Sequence, residues 1–319
     1  MNTQEKIGVL LLNLGGPGRL EDVRPFLINL FSDRQIIRLG PAFLQTTIAR
    51  LIAHRRAPKS MASYAQIGGG SPIREKTEEQ ARALEKLLAN EGHFLVRPCM
   101  RYWHPLADEA LREMAAAKVR KIIALPLYPH YSIATTGSSL SDLHRTQQRL
   151  QLNIPIREIH GWPIEAHYIA CLAARVEEGM GRFDGAPVEL VYSAHSLPVK
   201  FIEEGDPYVD DLKQTITAIE RLTGVTGRLC YQSRSGPVEW LEPSLPEVIT
   251  ALGAQGCQNM LVMPLSFVSD HVETLYEIDI QYRQMATNLG MRFESTLGLN
   301  ADPGFIEALA NLVRNRLRA

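Results

Sequence analysis

Two short segments hold the side chains best suited to bond-making chemistry in this 319-residue chain. The first, Ser193-Ala-His195-Ser196-Leu-Pro198, follows the apolar run Val188–Tyr192. A neutral imidazole there can accept a proton near pH 7 or ligate a divalent transition metal. A histidine satisfied by local backbone hydrogen bonds would leave the same trace. The second segment, Ser269-Asp270-His271-Val-Glu273-Thr-Leu-Tyr-Glu277, follows the run Met260–Phe267. Ser269 or Asp270 stands where a helix cap belongs. On the helix that follows, Glu273 and Glu277 share one face, and Gln281 continues the stripe. Like charges at this spacing cost about 0.2–0.5 kcal/mol, which a solvated face tolerates and a passing cation reverses. His271 and Glu273 are two residues apart, so both address one point only if the helix is irregular at its first turn. Together, His195 and Glu273 offer nitrogen and oxygen ligands for one divalent metal. Their dispersed spacing is neither the paired CxxC nor the HExxH pattern of a zinc site.

These segments require elements that place them side by side. The clearest apolar runs are Ile7–Leu14, Ile122–Leu127, Val188–Tyr192 and Met260–Phe267, with weaker strand patterns at Phe94–Met100, Arg228–Gln232 and Met291–Glu294. Between them lie helical patterns at Arg74–Asn90, Pro105–Ala117, Pro163–Met180, Pro207–Thr223 and Pro303–Leu317. Unbroken apolar strands alternating with amphipathic helices predict a doubly wound α/β architecture with parallel sheets. The motif order also occurs twice. Val9–Pro17 parallels Leu190–Pro198, Val96–Pro105 parallels Arg228–Pro237, and Lys121–Ser132 parallels Asn259–Asp270. Two similar Rossmann-like lobes, 1–162 and 163–319, account for all three, with helix 303–317 free to pack back on the first lobe; chance likeness among generic α/β segments is the alternative. The carboxyl ends of both sheets would then face a central cleft, where open α/β sheets bind ligands.

Three segments stand apart from the alternation. Pro41–Ile52 is an apolar helical pattern followed by His54-Arg55-Arg56. It reads as a core helix, or as an apolar lip or membrane-surface contact with arginines for an anionic group. Gly15-Gly16-Pro17-Gly18 and Gly68-Gly69-Gly70-Ser71 lack the GxGxxG and GxxxxGK[ST] nucleotide patterns. They read as tight turns that let backbone approach a ligand. No GxSxG is present, so Ser193 and Ser196 have little support as hydrolase nucleophiles.

Composition narrows the class without naming a chemistry. With 34 basic and 35 acidic residues the net charge is −1, giving no electrostatic footprint for a nucleic-acid partner. The run Ile7–Leu14 is short and ends in Gly-Gly-Pro, so no secretory leader is expected, and no stretch reaches the length of a membrane span. Cys99, Cys171, Cys230 and Cys257 are widely separated. A cytoplasmic protein with reduced thiols is the expectation.

The motifs, taken in order, resemble the ferrochelatase family. The family signature is matched from Leu190 to Tyr208 (LVYSAHSLPVKFIEEGDPY). Further matches are LNLGGPG at Leu12–Gly18, RRAPK at Arg55–Lys59, YAQIGGGSPI at Tyr64–Ile73 and MRYWHP at Met100–Pro105. YPHYSIATTGSSL at Tyr128–Leu140, QSRSGPVEWL at Gln232–Leu241 and SDHVETLYEIDI at Ser269–Ile280 complete the series. The resemblance implies insertion of Fe(II) into protoporphyrin IX to form protohaem, the final step of haem biosynthesis, by a lyase needing no cofactor. Ferrous iron and porphyrin are its substrates. It implies that His195 and Glu273 are metal ligands or proton acceptors, that His271 and Asp270 support them, and that Glu277 lies on a metal path or proton relay. Arg56, Tyr64 and Ser71 fall where the family binds porphyrin propionates, and Asn13, Arg101, Tyr102 and Trp240 line the family's pocket. Pro41–Ile52 then corresponds to an apolar lip, a route to peripheral contact with the inner membrane. Relatives with an iron–sulfur cluster carry cysteine where this chain has Ile133, and three more in a carboxyl-terminal tail, so no cluster is expected. Some relatives place a third carboxylate where Gln281 stands. A coproporphyrin ferrochelatase, another tetrapyrrole chelatase and a non-catalytic porphyrin carrier are the alternatives, and oligomeric state is left open.

Overall fold

The computed structural model describes residues 5–234 and 236–318. They divide into two compact units, residues 1–161 with 300–319, and residues 162–299. Each unit is built on a four-stranded parallel sheet.

In the first unit the strands are β1 (Ile7–Asn13), β2 (Phe94–Met100), β3 (Lys121–Pro126) and β4 (Ile156–Glu158), in the order β2-β1-β3-β4. The helices α1 (Val23–Ser32), α2 (Gln45–Ala65), α3 (Ile73–Leu88), α4 (Ala107–Ala116) and α5 (Ser138–Arg149) connect them. Val9 to Leu12 and Ile122 to Leu125 are fully buried, as strands covered on both faces must be. One core layer joins Leu10 and Leu12 to Leu111 and Met114 of α4 and Leu143 of α5.

The second unit repeats this plan with β5 (Glu189–His195), β6 (Gly227–Gln232), β7 (Asn259–Pro264) and β8 (Arg292–Ser295), in the order β6-β5-β7-β8. Its helices are α6 (Ala166–Gly181), α7 (Val199–Glu203), α8 (Tyr208–Thr223), α9 (Leu245–Ala254) and α10 (Arg283–Asn288). The chain then re-enters the first unit as α11 (Pro303–Arg318), which packs on α3 and β3 through buried Phe305, Leu309 and Val313.

The registers show how far the internal repeat extends. Leu12 pairs with Cys99 and Pro126, and Ser193 pairs with Cys230 and Pro264. Leu12 therefore corresponds to Ser193, which agrees with the first and third motif correspondences. The middle one needs correction. Cys99 matches Cys230, so β2 and β6 align one residue away from the motif alignment. The proline equivalent to Pro105 is Pro243, not Pro237: both follow cis peptide bonds, and each carbonyl accepts a hydrogen bond from a strand end, Met100 and Tyr231 respectively. The second unit carries a longer loop here, which misled the proline count.

Helices α1, α5 and α9 were absent from the sequence expectation. Each nonetheless buries an apolar face, Phe26, Leu27 and Phe31 of α1, Leu140 and Leu143 of α5, and Leu245, Val248, Ile249 and Leu252 of α9. Strand β5 runs three residues past its apolar stretch, because Ser193 to His195 continue the pairing with Cys230 to Gln232.

Candidate active site

In a sheet of order 2-1-3-4 the connections diverge at the central strand, and ligands bind outside the carboxyl ends at that switch point. In the second unit this is where β5 and β7 end. His195 is the last residue of β5, and the segment after β7 carries His271, Glu273 and Glu277. Topology alone therefore brings the two sequence segments together.

His195 is held by its own backbone. Its N–H donates to Ser266 Oγ at 2.7 Å, and its carbonyl accepts from Tyr208 Oη at 2.9 Å. Tyr208 Oη and Ser266 Oγ are 2.6 Å apart, which closes a ring of three hydrogen bonds around the peptide. The imidazole Nδ1 lies 3.0 Å from Glu273 Oε2. An ionised carboxylate only accepts, so Nδ1 carries a proton and Nε2 of the neutral ring is the basic edge. The side chain keeps 33% of its surface exposed, against 11% for Glu273. Burial acts to lower the His195 pKa, but the charge and hydrogen bond of Glu273 outweigh it and raise it above the ordinary value.

Glu273 opens a ten-residue π-helix, Glu273–Tyr282. His271 lies before this helix, and the turn that begins at it closes with an ordinary i→i+4 bond from Leu275 N–H, so His271 meets Glu273 from outside the helix. Neither Ser269 nor Asp270 caps it, contrary to the sequence expectation. The capping position is Val272, with no side-chain cap. Asp270 instead accepts from Thr274 Oγ1 at 3.4 Å, and the Ser269 carbonyl accepts from His271 Nδ1 at 3.1 Å. That second bond leaves His271 Nε2 as the ring edge that faces Glu273. It is buried, makes no hydrogen bond, and lies 3.8 Å from Glu273 Oε1. The two oxygens of Glu273 are thus divided between two histidines. The Phe267 ring packs against both imidazoles, with centroids 6.3 Å from His195 and 4.2 Å from His271. Burial would raise the Glu273 pKa, yet the adjoining histidines hold it well below the usual carboxylate range. Glu277 goes the other way: burial, and then the charge of Glu273, push it up to about 7. Ile278 and Tyr282 anchor the π-helix in the core, while Gln281 is exposed, so the stripe ends in solvent.

Two site residues escaped the sequence reading. Gln232 Nε2 donates to Glu273 Oε2 at 3.2 Å, and Ser233 Oγ donates to Glu277 Oε2 at 2.5 Å. Both lie in the QSRSGPVEWL motif, whose Ser235 falls outside the described residues. A polar pair at the end of a strand was the available signal. Trp240 lies on the same loop, which pairs with the segment after His195 through a Pro198–Trp240 bridge.

The remaining named residues belong to the first unit, at and around the equivalent strand ends. Asn13 is buried and donates to Thr77 Oγ1 at 3.1 Å, pinning β1 to α3. Arg101 Nη2 and Tyr102 Oη both engage Asp33 Oδ2, at 2.7 and 2.8 Å, and Ser138 Oγ donates to the same oxygen at 2.5 Å. Burial works to raise the Asp33 pKa, but Ser138, Arg101, Gln35 and Tyr102 together bring it below the ordinary value. On α2, Arg56 is exposed with its guanidinium 5.6 Å from the Phe31 ring, and Tyr64 is buried. Ser71 stands where the two glycine-rich loops meet: its N–H donates to the Pro17 carbonyl at 2.7 Å. A Cβ on Gly70 would lie 2.2 Å from the Gly18 carbonyl oxygen, and one on Gly16 would lie 2.7 Å from the Ser71 side chain. The close approach these glycines permit is of one loop to the other.

Comparison with known proteins follows the same lines. A family model described as ferrochelatase matches residues 6–317. The ferrochelatase of Desulfotalea psychrophila is 57% identical over 306 residues, 96% of each chain. That of Geotalea uraniireducens is 52% identical over 312 residues, 97% of each. Among solved structures, the sirohydrochlorin chelatase SirB of Bacillus subtilis subspecies spizizenii in complex with cobalt matches with a TM-score of 0.56 at 12% identity. The match covers 98% of this chain and 96% of that one. SirB from Bacillus subtilis with Fe3+ matches with a TM-score of 0.51 at 16% identity, covering 76% and 90%. At these identities the structural likeness is one of fold.

Proposed function

The chain belongs to the ferrochelatase family, and from that premise we propose that it inserts Fe(II) into protoporphyrin IX, giving protohaem and two protons. The observation that carries the reading is the division of Glu273 between His195 Nδ1 and His271 Nε2 at the switch point of the second sheet. Insertion requires two pyrrole N–H protons to leave and the ferrous ion to exchange water for porphyrin nitrogen.

His195 Nε2, at the exposed edge of an imidazole whose other nitrogen is held by Glu273, is the group to accept a pyrrole proton. Glu273 and His271 offer oxygen and nitrogen to the arriving iron, a donor set suited to a divalent first-row metal. Glu277, poised near neutrality by burial and by Glu273, takes and passes protons or steadies the metal on its way. Asp270 supports the turn that presents His271. By the resemblance, Arg56, Tyr64 and Ser71 are assigned to the porphyrin propionates, and Asn13, Arg101, Tyr102 and Trp240 to the ring. Their support is the resemblance together with the rigid hydrogen bonding that fixes Asn13, Arg101 and Tyr102. No resident cofactor is assigned. Ile133 at the position where cluster-bearing relatives have cysteine supports a chain without an iron–sulfur cluster.

Among the described residues no helix is long and apolar enough to cross a membrane. Peripheral contact through the lip of a cytoplasmic protein is supported by Phe43, 81% exposed, and Leu51, 53% exposed. Phe43 lies in the 3-10 turn Ala42–Leu44 and Leu51 on α2, where Arg50, Arg55 and Arg56 are also exposed. Flotation with anionic vesicles checks it: Phe43→Ser with Leu51→Ser should release the protein.

The function is tested by anaerobic incubation with protoporphyrin IX and ferrous iron, following the Soret band. Catalytic conversion by the wild type and not by His195→Ala supports the reading. Porphyrin binding without turnover would replace it with a carrier.

A further inference from the structure

We propose that Gln232 and Ser233 form a positioning clamp that aims the Glu273 and Glu277 carboxylates, with Ser193 as its anchor. The proposal rests on reading the His195–Glu273–His271 cluster as the metal-handling site.

The argument begins with the amide of Gln232, the last residue of β6 and almost fully buried. Its Oε1 is 2.7 Å from Ser193 Oγ, and its Nε2 is 3.2 Å from Glu273 Oε2. A carboxylate can only accept, so the –NH2 end must face Glu273, and the serine hydroxyl donates to the oxygen left at the other end. Each end of the amide therefore fixes the other. Glu273 Oε2 is held from two sides, by His195 Nδ1 and by Gln232, which leaves Oε1 turned to His271.

Ser233 extends the grip by breaking the strand. In a continuing strand, successive side chains point to opposite faces, so Gln232 and Ser233 could not both reach one helix. Ser233 has φ +65°, in the left-handed region. That turn brings its hydroxyl to Glu277 Oε2 on the same π-helix as Glu273. A non-glycine residue there is strained, and such strain persists where surrounding contacts over-determine it. Glycine would relax the backbone but lose the hydroxyl. By register, the first-unit counterparts of Gln232 and Ser233 are Arg101 and Tyr102, and these two also converge on a carboxylate, Asp33. Both units thus use two consecutive residues at this strand end to hold carboxylates, one acid in the first unit and two in the second.

Cobalt(II) titration of the full chain without porphyrin, followed by visible absorption, provides a readout that needs no turnover. Ser233→Gly should melt at or above the wild-type temperature yet bind cobalt(II) several-fold more weakly. Gln232→Leu should weaken it at least tenfold, and Ser193→Ala less, with porphyrin affinity within twofold of wild type throughout. In iron insertion the same variants should raise KM for Fe(II) and lower kcat, leaving KM for porphyrin alone. A merely structural role predicts the reverse for Ser233→Gly: lost stability and lost binding together. Cobalt(II) affinity within twofold of wild type in both Ser233→Gly and Gln232→Leu would overturn the clamp even if the wild type inserts iron. A wild type that shows the expected cobalt(II) pattern but inserts no iron would sink the catalytic reading and leave the clamp standing. No cobalt(II) binding by the wild type would overturn the clamp, and iron insertion would still decide the catalytic reading.

Discussion

His271 Nε2 lies 3.8 Å from Glu273 Oε1, beyond hydrogen-bond reach, although both atoms belong to largely buried side chains. With Nδ1 committed to the Ser269 carbonyl, Nε2 is the ring edge that faces the Glu273 oxygen. Two such donors suit a cation ligated from both sides, since metal–nitrogen and metal–oxygen bonds of about 2.0–2.2 Å span such a separation with a bent angle. The geometry therefore favours a metal or a proton between them.

Removing His195 or Glu273, whose side chains lie 3.0 Å apart, should cripple iron insertion without abolishing porphyrin binding. His195→Ala and Glu273→Ala should each lower kcat by about 10²–10⁴-fold, the usual worth of a positioned acid or base. Porphyrin affinity, measured by tryptophan quenching, should change by less than a factor of a few. Parallel loss of both quantities would place these residues in ring binding instead.

Glu277 gives a stability prediction with a definite sign. Its folded pKa, about 7, lies above the ordinary carboxyl value of 4.5. The fold therefore binds its proton more tightly than the unfolded chain does. That contribution is complete below pH 4.5 and is lost as pH rises through 7. Glu277→Gln, which keeps the acceptor for Ser233, should melt a few degrees above wild type at pH 8 and at the same temperature near pH 4.5. A variant less stable than wild type at pH 8 would contradict this.

Asp33 has the opposite sign. Its folded pKa is lowered, so its contribution is present above the unfolded value of 3.8 and lost as pH falls through the folded one. Asp33→Ala removes the close ion pair of the mostly buried Arg101 and leaves it the 2.7 Å hydrogen bond to Ser138 Oγ and the 3.6 Å contact to Asp142. It should cost on the order of 3 kcal/mol, as breaking a buried ion pair does. Urea melts at pH 7 and pH 3 read this directly: the difference between variant and wild type should shrink at pH 3.

The glycine loops can be tested by adding one carbon. Gly70→Ala drives a Cβ into the Gly18 carbonyl and should cost about 1–3 kcal/mol while weakening porphyrin binding through displaced Ser71. Gly181→Ala, where no atom lies within 4 Å and φ is not positive, is the control and should be neutral or slightly stabilising. Equal effects on melting would show that loop contact is not what Gly70 serves.

The architecture was legible in the sequence because burial on both faces makes parallel strands read as plain apolar runs, and His195 and His271 stand immediately beyond two of them. The π-helix itself was not legible, and His271 reaches Glu273 from outside the helix and not through an irregular first turn, because it stands before the first helical residue. Gln232 and Ser233 were invisible as site residues. Amides and hydroxyls are ordinary at strand ends, and only the left-handed turn at Ser233 and the topology next to β5 give them their partners. The engagement of Arg101 and Tyr102 with Asp33 was hidden for the same reason, being made across 68 and 69 positions of chain.

The return of α11 to the first unit has a consequence for how the protein is made. Phe305, Leu309 and Val313 cover α3 and β3, yet residues 162–299 must be synthesised before them. At cellular rates that interval is on the order of ten seconds. During it the nascent first unit presents an unsealed apolar face to chaperones and to other chains. A ribosome that stalls near residue 300 would thus release a product whose earlier half is still unfinished.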